Sequence, residues 1–350
     1  MKPSTLTTTC PSGSLVVVTG AHSFIATHII DILLKSGFEV RGTVRSAEKA
    51  SYIESVFHKR QPNAKFSAVV VEDMYLPKAL DTALHGASGL VHAAFDLSMT
   101  PDFEYSYTRQ VEGTKHIFES ASNVPTLKRF VLTSAISACG SPKAGIKQHY
   151  TPEDWNNYSL AKAHEDTSPY KAEYGMLLYQ AAKTTIEKNA QDFIIDRQPS
   201  FIYNAILPNI NVGPIITTER PQGSGALMMG FFYSNDQVLA VLTNEDILPP
   251  QQIVDVRDTA RLHVLALTEG DVQNERLISA AEDWTYNRGV EMLATFSPNG
   301  HELPQKIESL AGPAQTSDSS RSLELLERVG RSGWSPVVAA MRENCLGEVL

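Results

Sequence analysis

The sequence predicts an α/β protein: a doubly wound parallel sheet carrying a smaller C-terminal substrate lobe. Three observations predict it. Apolar runs of strand length recur through the first two hundred residues, each followed by a helix-like pattern, which implies parallel strands joined by right-handed crossovers. A glycine turn, TGAHSFIAT (Thr19–Thr27), follows the first run directly. After Gly140 the rhythm breaks, and beyond Pro208 come Gly/Pro-rich segments.

Leu15–Thr19 (LVVVT) is a continuous apolar run suited to a strand covered on both faces. Phe24–Ser36 has helical periodicity, with Ile25, Ile29, Ile32 and Leu33 on one side and Gly37 as its stop. Glu39–Val44 reads as the second strand, Ala47–His58 as a helix, Phe66–Val71 as the third strand and Leu76–His85 as a helix. Gly89–Ala93 is the fourth strand, Phe103–Ser122 a long helix, and Phe130–Ser134 the fifth strand. Ser141–Ser168, rich in Pro, Asn and Lys, reads as a long loop, and Pro169 opens a helix reaching about Gln191. Ser200–Leu207 and Gln252–Val256 are further strands, and Asp258–Thr268 is a helix with Asp258 placed as its N-cap. Two more helices fall near Asp283–Phe296 and Ser320–Val329. The division expected is a flexible leader over 1–14, a nucleotide-binding core over 15–207 plus about 250–270, and a substrate-binding lobe over about 208–249 plus 271–350. That lobe is expected over the carboxyl edge of the sheet, where ligands bind in open α/β folds.

Gly20, Ser23 and Ala26 are spaced by three between a first strand and a first helix. A glycine there lets the backbone approach a pyrophosphate, and the helix, starting at Phe24 and Ile25, offers free N–H groups and a positive dipole end. Ser23 stands where a second glycine is common, and its hydroxyl can donate to a phosphate. After the second strand no carboxylate follows to hold a ribose 2′-hydroxyl. Arg45 does, with Lys49 one turn on. Two cations at a helix start, where acids are normally preferred, favour a 2′-phosphate and therefore NADP(H) over NAD(H). Asp73 and Met74 follow the third strand and are placed at the adenine edge. Ala93 and Ala94, after the fourth strand, are small enough for the cofactor to lie close, and Phe95 is a candidate for the substrate site. Pro208 and Asn209 are expected to flank the nicotinamide carboxamide, and Met228, Met229, Phe231 and Phe232 to form an apolar wall over the pocket or part of a core.

LLYQAAKTTIEK places Tyr179 and Lys183 four apart, on one helical face. A phenol with pKa near 10 is a poor acid–base group at neutral pH, and an adjacent ammonium favours phenolate and draws the pKa down. Small Ala181 and Ala182 let this helix pack closely.

The chain of 350 residues carries 42% apolar and 20% charged residues and a net charge of −9, which argues against a nucleic-acid partner. No apolar run reaches the roughly 18 residues of a membrane span, and MKPSTLTTTCPSGS has no apolar core for a secretory signal. Cys10, Cys139 and Cys345 are scattered without metal-ligand spacing, so no metal is expected and a reducing, cytoplasmic location is. Nothing in the sequence separates a monomer from a homodimer.

The TGxxxFIA turn, RGTVRS, LTS at the fifth strand and YQAAK resemble the extended short-chain dehydrogenase/reductase family. NAILPN, VDVRDTARLH and SLELLERVGRSGW are similar to its dihydroflavonol-reductase-like branch, which includes microbial NADPH-dependent carbonyl and aldehyde reductases. The resemblance covers nearly everything after the leader. It implies a Rossmann core, a C-terminal substrate lobe and a Ser–Tyr–Lys site acting on a small-molecule carbonyl substrate. Family members read T-S-S after the fifth strand, and the second serine bonds the carbonyl. Here that position is Ala135. Either a one-residue bulge swings Ser134 inward, the assignment adopted, or Ser137 takes its place. The expected function is NADPH-dependent reduction of a ketone or aldehyde of a bulky, secondary-metabolite substrate. Ala135 keeps open a cofactor-retaining epimerase, dehydratase or isomerase. A non-catalytic NADP(H) sensor is the third alternative, and it would need neither Tyr179 nor Lys183.

Overall fold

The structure, a computed structural model, describes residues 9–165, 172–217, 223–310 and 312–347. Its centre is a parallel sheet built from β1 (Leu15–Val18), β2 (Glu39–Val44), β3 (Phe66–Val70), β4 (Gly89–His92), β5 (Arg129–Thr133), β7 (Ile202–Pro208) and β10 (Arg276–Ser279). Their order is β10-β7-β5-β4-β1-β2-β3. Neighbouring residues of one strand feed opposite cores: Val16 and Val18 pack with α1 (Phe24–Lys35), α2 (Ala47–Arg60), α9 (Val256–Thr268) and α11 (Ser320–Arg328). Val17 instead packs with α3 (Asp81–Leu84), α4 (Arg109–Ser122) and α6 (Ala172–Arg197). That two-sided burial is why the strands read as unbroken apolar runs.

The lobe has its own core and a three-stranded sheet, β11 (Glu282–Trp284), β9 (Gln251–Asp255) and β8 (Ile210–Val212). Around it pack α7 (Ser224–Phe232), α8 (Asp236–Leu242), α10 (Tyr286–Ala294) and α12 (Val337–Cys345). Between β5 and α6, β6 (His149–Tyr150) pairs with β12 (Thr316–Ser317), and α5 (Asn157–Ala163) is capped by the Asn156 side chain. Among the described residues no helix is long and apolar enough to cross a membrane.

Several expectations change. The helix expected over Leu76–His85 shrinks to Asp81–Leu84, because Pro77 disfavours helix at Leu76 and Lys78 sits at φ 63°. The long helix opens with a π-helical turn over Glu104–Thr108. The loop after Gly140 contains β6 and α5. Pro169 lies outside the described residues. Asp255, not Asp258, caps α9, accepting from the Arg257 N–H at 2.8 Å. Asp258 is buried one turn in, where it accepts the Ser335 amide at 2.6 Å. The flexible leader to residue 14 is too long: Cys10 is buried and its N–H bonds the Leu267 carbonyl at 3.0 Å. Residues 1–8 lie outside the described residues. The boundary near 270 also moves. β10 closes the large sheet and α11 packs on its helices, whereas β9, assigned to the nucleotide core, belongs to the lobe.

Candidate active site

The carboxyl ends of β1, β4, β5 and β7 lie along one edge of the parallel sheet, and the sequence explains how each end is held. Gly20 sits at φ +66°, and a Cβ there would meet the Ala94 Cβ at 2.9 Å, so the turn requires glycine for both dihedral and space. Thr19 Oγ1 gathers the far wall, accepting the N–H groups of Ala93 and Ala94 at 3.1 Å each and contacting His92 Nδ1 at 2.8 Å. Ser23 is the N-cap of α1 and its side chain makes no capping bond, leaving the first amides of that helix open. Phe24 leans on Gly225 of α7 and joins the turn to the lobe, while Ile25 packs into the core beneath.

Arg45 is exposed at the end of β2, and its charge acts on Asp73 and Asp96. Lys49 Nζ lies 3.1 Å from His22 Nε2. Asp73 accepts the Tyr75 N–H and the Arg109 guanidinium, each at 3.0 Å. Burial pulls its carboxyl upward, but these bonds and the neighbouring arginines hold it below the ordinary range. Met74 packs into the second core. The cradle at Gly20, the open helix start and the cation beyond β2 together fit a pyridine dinucleotide.

Tyr179 and Lys183 stand one turn apart on α6. The Tyr179 ring meets Phe95 edge-on at 5.5 Å, and its hydroxyl has no hydrogen-bond partner among the described residues. Lys183 is 4% exposed and donates to the Thr133 carbonyl at 2.9 Å, its Nζ 3.8 Å from the Phe95 ring centroid. Burial lowers its ammonium to about 7, with Glu187 opposing. The expectation that Lys183 makes the phenol acidic is corrected here. Burial pushes the Tyr179 pKa up, and Nζ, turned to Thr133, stays 5.9 Å from the tyrosine ring centroid.

Ser134 does not swing inward. Strand alternation runs on without a bulge: Thr133 Oγ1 contacts His263 of α9 at 2.7 Å, Ser134 faces α6, and Ala135 is extended at φ −159°. The Ser134 hydroxyl donates to Glu187, so its single proton is committed. Ser137 lies in the 3-10 turn Ile136–Ala138, which packs against α6 and β7. Its Oγ is buried without a partner, while its carbonyl is held by Asn156 Nδ2 at 2.8 Å.

Sequence reasoning missed Glu187, whose signal was its place one turn beyond Lys183. It pairs with buried Arg276 at 2.7 Å, and Arg276 reaches the Asp154 carbonyl at 2.7 Å and lies over the Trp155 ring. Pro208 ends β7, paired with Ser279. Met228, Phe231 and Phe232 are buried in the lobe core, the second of the two placements expected for them.

The sheet, its glycine turn and the Tyr–Lys helix define the class: an oxidoreductase that binds a pyridine dinucleotide. A family model described as NAD(P)H-binding matches residues 20–173. The chain is 33% identical to an NAD-dependent epimerase/dehydratase of Aspergillus flavipes, over 97% of this chain and 94% of that one. It is 34% identical to aldehyde reductase 2 of Sporidiobolus salmonicolor, over 95% of both. The NADPH complex of Gre2 from Candida albicans superposes with a TM-score of 0.76 at 25% identity, covering 96% of this chain and 99% of that one. The chain belongs to the extended short-chain dehydrogenase/reductase family, with these reductases and epimerase/dehydratases.

Proposed function

We propose that this protein reduces a ketone or aldehyde of a bulky, secondary-metabolite substrate with NADPH, in the cytosol. The observation that carries the reading is the unpartnered Tyr179 hydroxyl, beside Phe95 and one turn from Lys183, at the carboxyl edge of a nucleotide-binding sheet. NADPH supplies the hydride. Tyr179 holds at Oη the proton that the developing alkoxide needs, and burial keeps the phenol in that protonated form. Lys183, fixed on the Thr133 carbonyl, keeps further donors for ribose hydroxyls. Ser137 replaces the serine missing at Ala135 as donor to the carbonyl oxygen. Arg45 and Lys49 support NADPH over NADH, as does the Gre2–NADPH complex. Apolar surface for a bulky substrate comes from Phe95 and from Leu97, which is exposed beside Gly223.

The test follows absorbance at 340 nm with a panel of ketones and aldehydes. Loss of one NADPH per carbonyl consumed is expected, and Tyr179→Phe should lower kcat by about 10²–10⁴. Ala135, together with the epimerase/dehydratase relative, favours a second reading in which the cofactor is regenerated. Turnover without net NADPH loss would select it.

A further inference from the structure

The glycine turn after β1 is pressed against β2. The Gly20 N–H reaches the Thr43 hydroxyl at 3.4 Å, and the Ala21 N–H donates to the Thr43 carbonyl at 3.0 Å. A Cβ on Gly42 would meet the Ala21 Cβ at 2.5 Å, so β2 needs glycine there to let the turn lie close. His22, the next residue of the turn, is thereby set beside the end of β2, where Arg45 and Ser46 lead into α2. Ser46 caps that helix by accepting the Lys49 N–H at 3.3 Å, which fixes Lys49 in its first turn. The two side chains meet across the strand ends: His22 Nε2 lies 3.1 Å from Lys49 Nζ, and both residues are half-buried.

The contact has one chemical sense. An ammonium only donates, so the imidazole is neutral, accepts at Nε2 and carries its proton on Nδ1. One of the three Nζ donors is spent on the ring and two are left. Neighbouring cations are neutralised: Arg60 binds Asp31 at 2.6 Å and Arg109 binds Asp73 at 3.0 Å. Lys49 and Arg45 form no such ion pair among the described residues. Two uncompensated positive charges at the end of the second strand suit a phosphate group there. A free lysine gives up rotamer freedom when it meets such a group, and one already held by a histidine has given it up beforehand.

We propose that His22 is a positioning residue for the choice of coenzyme: it holds Lys49 Nζ beside the turn, ready for the 2′-phosphate of NADP(H). This rests on the NADPH reading and adds to it the group that sets the lysine. Because His22 acts through Lys49, its effect should appear only with a 2′-phosphate and only while Lys49 is present.

Calorimetry with 2′,5′-ADP and 5′-AMP, and with NADPH and NADH, tests both conditions. The wild-type protein should bind 2′,5′-ADP more tightly than 5′-AMP. His22→Ala should weaken 2′,5′-ADP and NADPH by about three- to tenfold, the weight of ordering one long side chain, and leave 5′-AMP and NADH within about twofold. His22→Gln, which keeps an acceptor for the ammonium, should recover most of that loss. Lys49→Met should weaken 2′,5′-ADP by about tenfold or more, and adding His22→Ala to it should cost nothing further. Equal losses with and without the 2′-phosphate would give His22 a structural role in the turn, and additive losses would give it a contact of its own with the ligand. Either result overturns the proposal, as does a His22→Ala protein with wild-type affinities. A wild type that binds 2′,5′-ADP no more tightly than 5′-AMP overturns the NADPH reading as well, a result distinct from a selective wild type that His22→Ala leaves unchanged.

Discussion

At the residue scale the chemistry turns on Ala135. Its methyl cannot donate, and its extended backbone leaves Ser134 on the α6 side, bound to Glu187. The two serines that flank Ala135 and Ile136 therefore take different fates: Ser134 holds structure, and Ser137 keeps a buried, unspent hydroxyl. Removing one donor to a developing oxyanion typically costs about 10²–10³ in rate. Ser137→Ala should thus lower kcat by about that factor with little change in melting temperature. Ser134→Ala should show the reverse, since it strips a partner from a buried carboxylate. Steady-state kinetics and thermal melts on the two variants check this, and a Ser137→Ala enzyme as fast as wild type sinks it. The sequence made both serines candidates but could not choose between them. The choice needs the neighbour of each hydroxyl, and Glu187 is 53 positions away from Ser134.

At the scale of elements, α6 is tied to the rest of the site twice. Lys183 binds Thr133, and one turn later Glu187 binds Ser134 and Arg276. Arg276 is 8% exposed and Glu187 1%, so each is the other's compensation for lost water. Glu187→Ala leaves a guanidinium buried without its carboxylate, which costs about 3–5 kcal/mol. Urea unfolding should show that loss, and Arg276→Met with Glu187→Leu together should recover much of it. A Glu187→Ala midpoint equal to wild type would mean that the pair carries no such weight. Elements like these differ in how plainly they read from sequence. Strands buried on both faces announce themselves as runs such as LVVV, and β2 was bounded correctly from Glu39 to Val44. α7 (SGALMMGFF) is apolar almost all round, so no periodicity marked it, and α12 likewise went unread. Tyr179 and Lys183 were legible because a helix makes neighbours of residues four apart. Arg276 was not, because sheet topology brings it to Glu187 from elsewhere in the chain.

Across the whole molecule, three histidines are held neutral inside the fold. His28 bonds the Pro214 carbonyl at 2.8 Å, His92 contacts Thr19, and His263 bridges Thr133 and the Thr259 carbonyl. Burial lowers their pKa values to about 4, 3 and 4, from the 6.5 of a free imidazole. Below pH 6.5 the unfolded chain takes up protons that the folded chain refuses, so stability is intact above that pH and falls as pH drops toward 4. With up to three protons at stake, the slope approaches about 4 kcal/mol per pH unit near pH 5. Lys183 acts in the same direction at higher pH: burial lowers it to about 7, so stability also falls as pH drops from 10.5 toward 7. The three histidines join separate parts of the fold: His28 ties α1 to the segment after β8, His92 ties β4 to the glycine turn, and His263 ties α9 to the strand end under Lys183. Acid should therefore loosen the site and the core together, in one transition. Urea midpoints from pH 7 to 5 measure the slope. His28→Gln, which keeps a donor for Pro214, should lower the proton uptake on unfolding by one. A midpoint that does not move between pH 7 and 5 would show that these rings already carry their protons in the folded state.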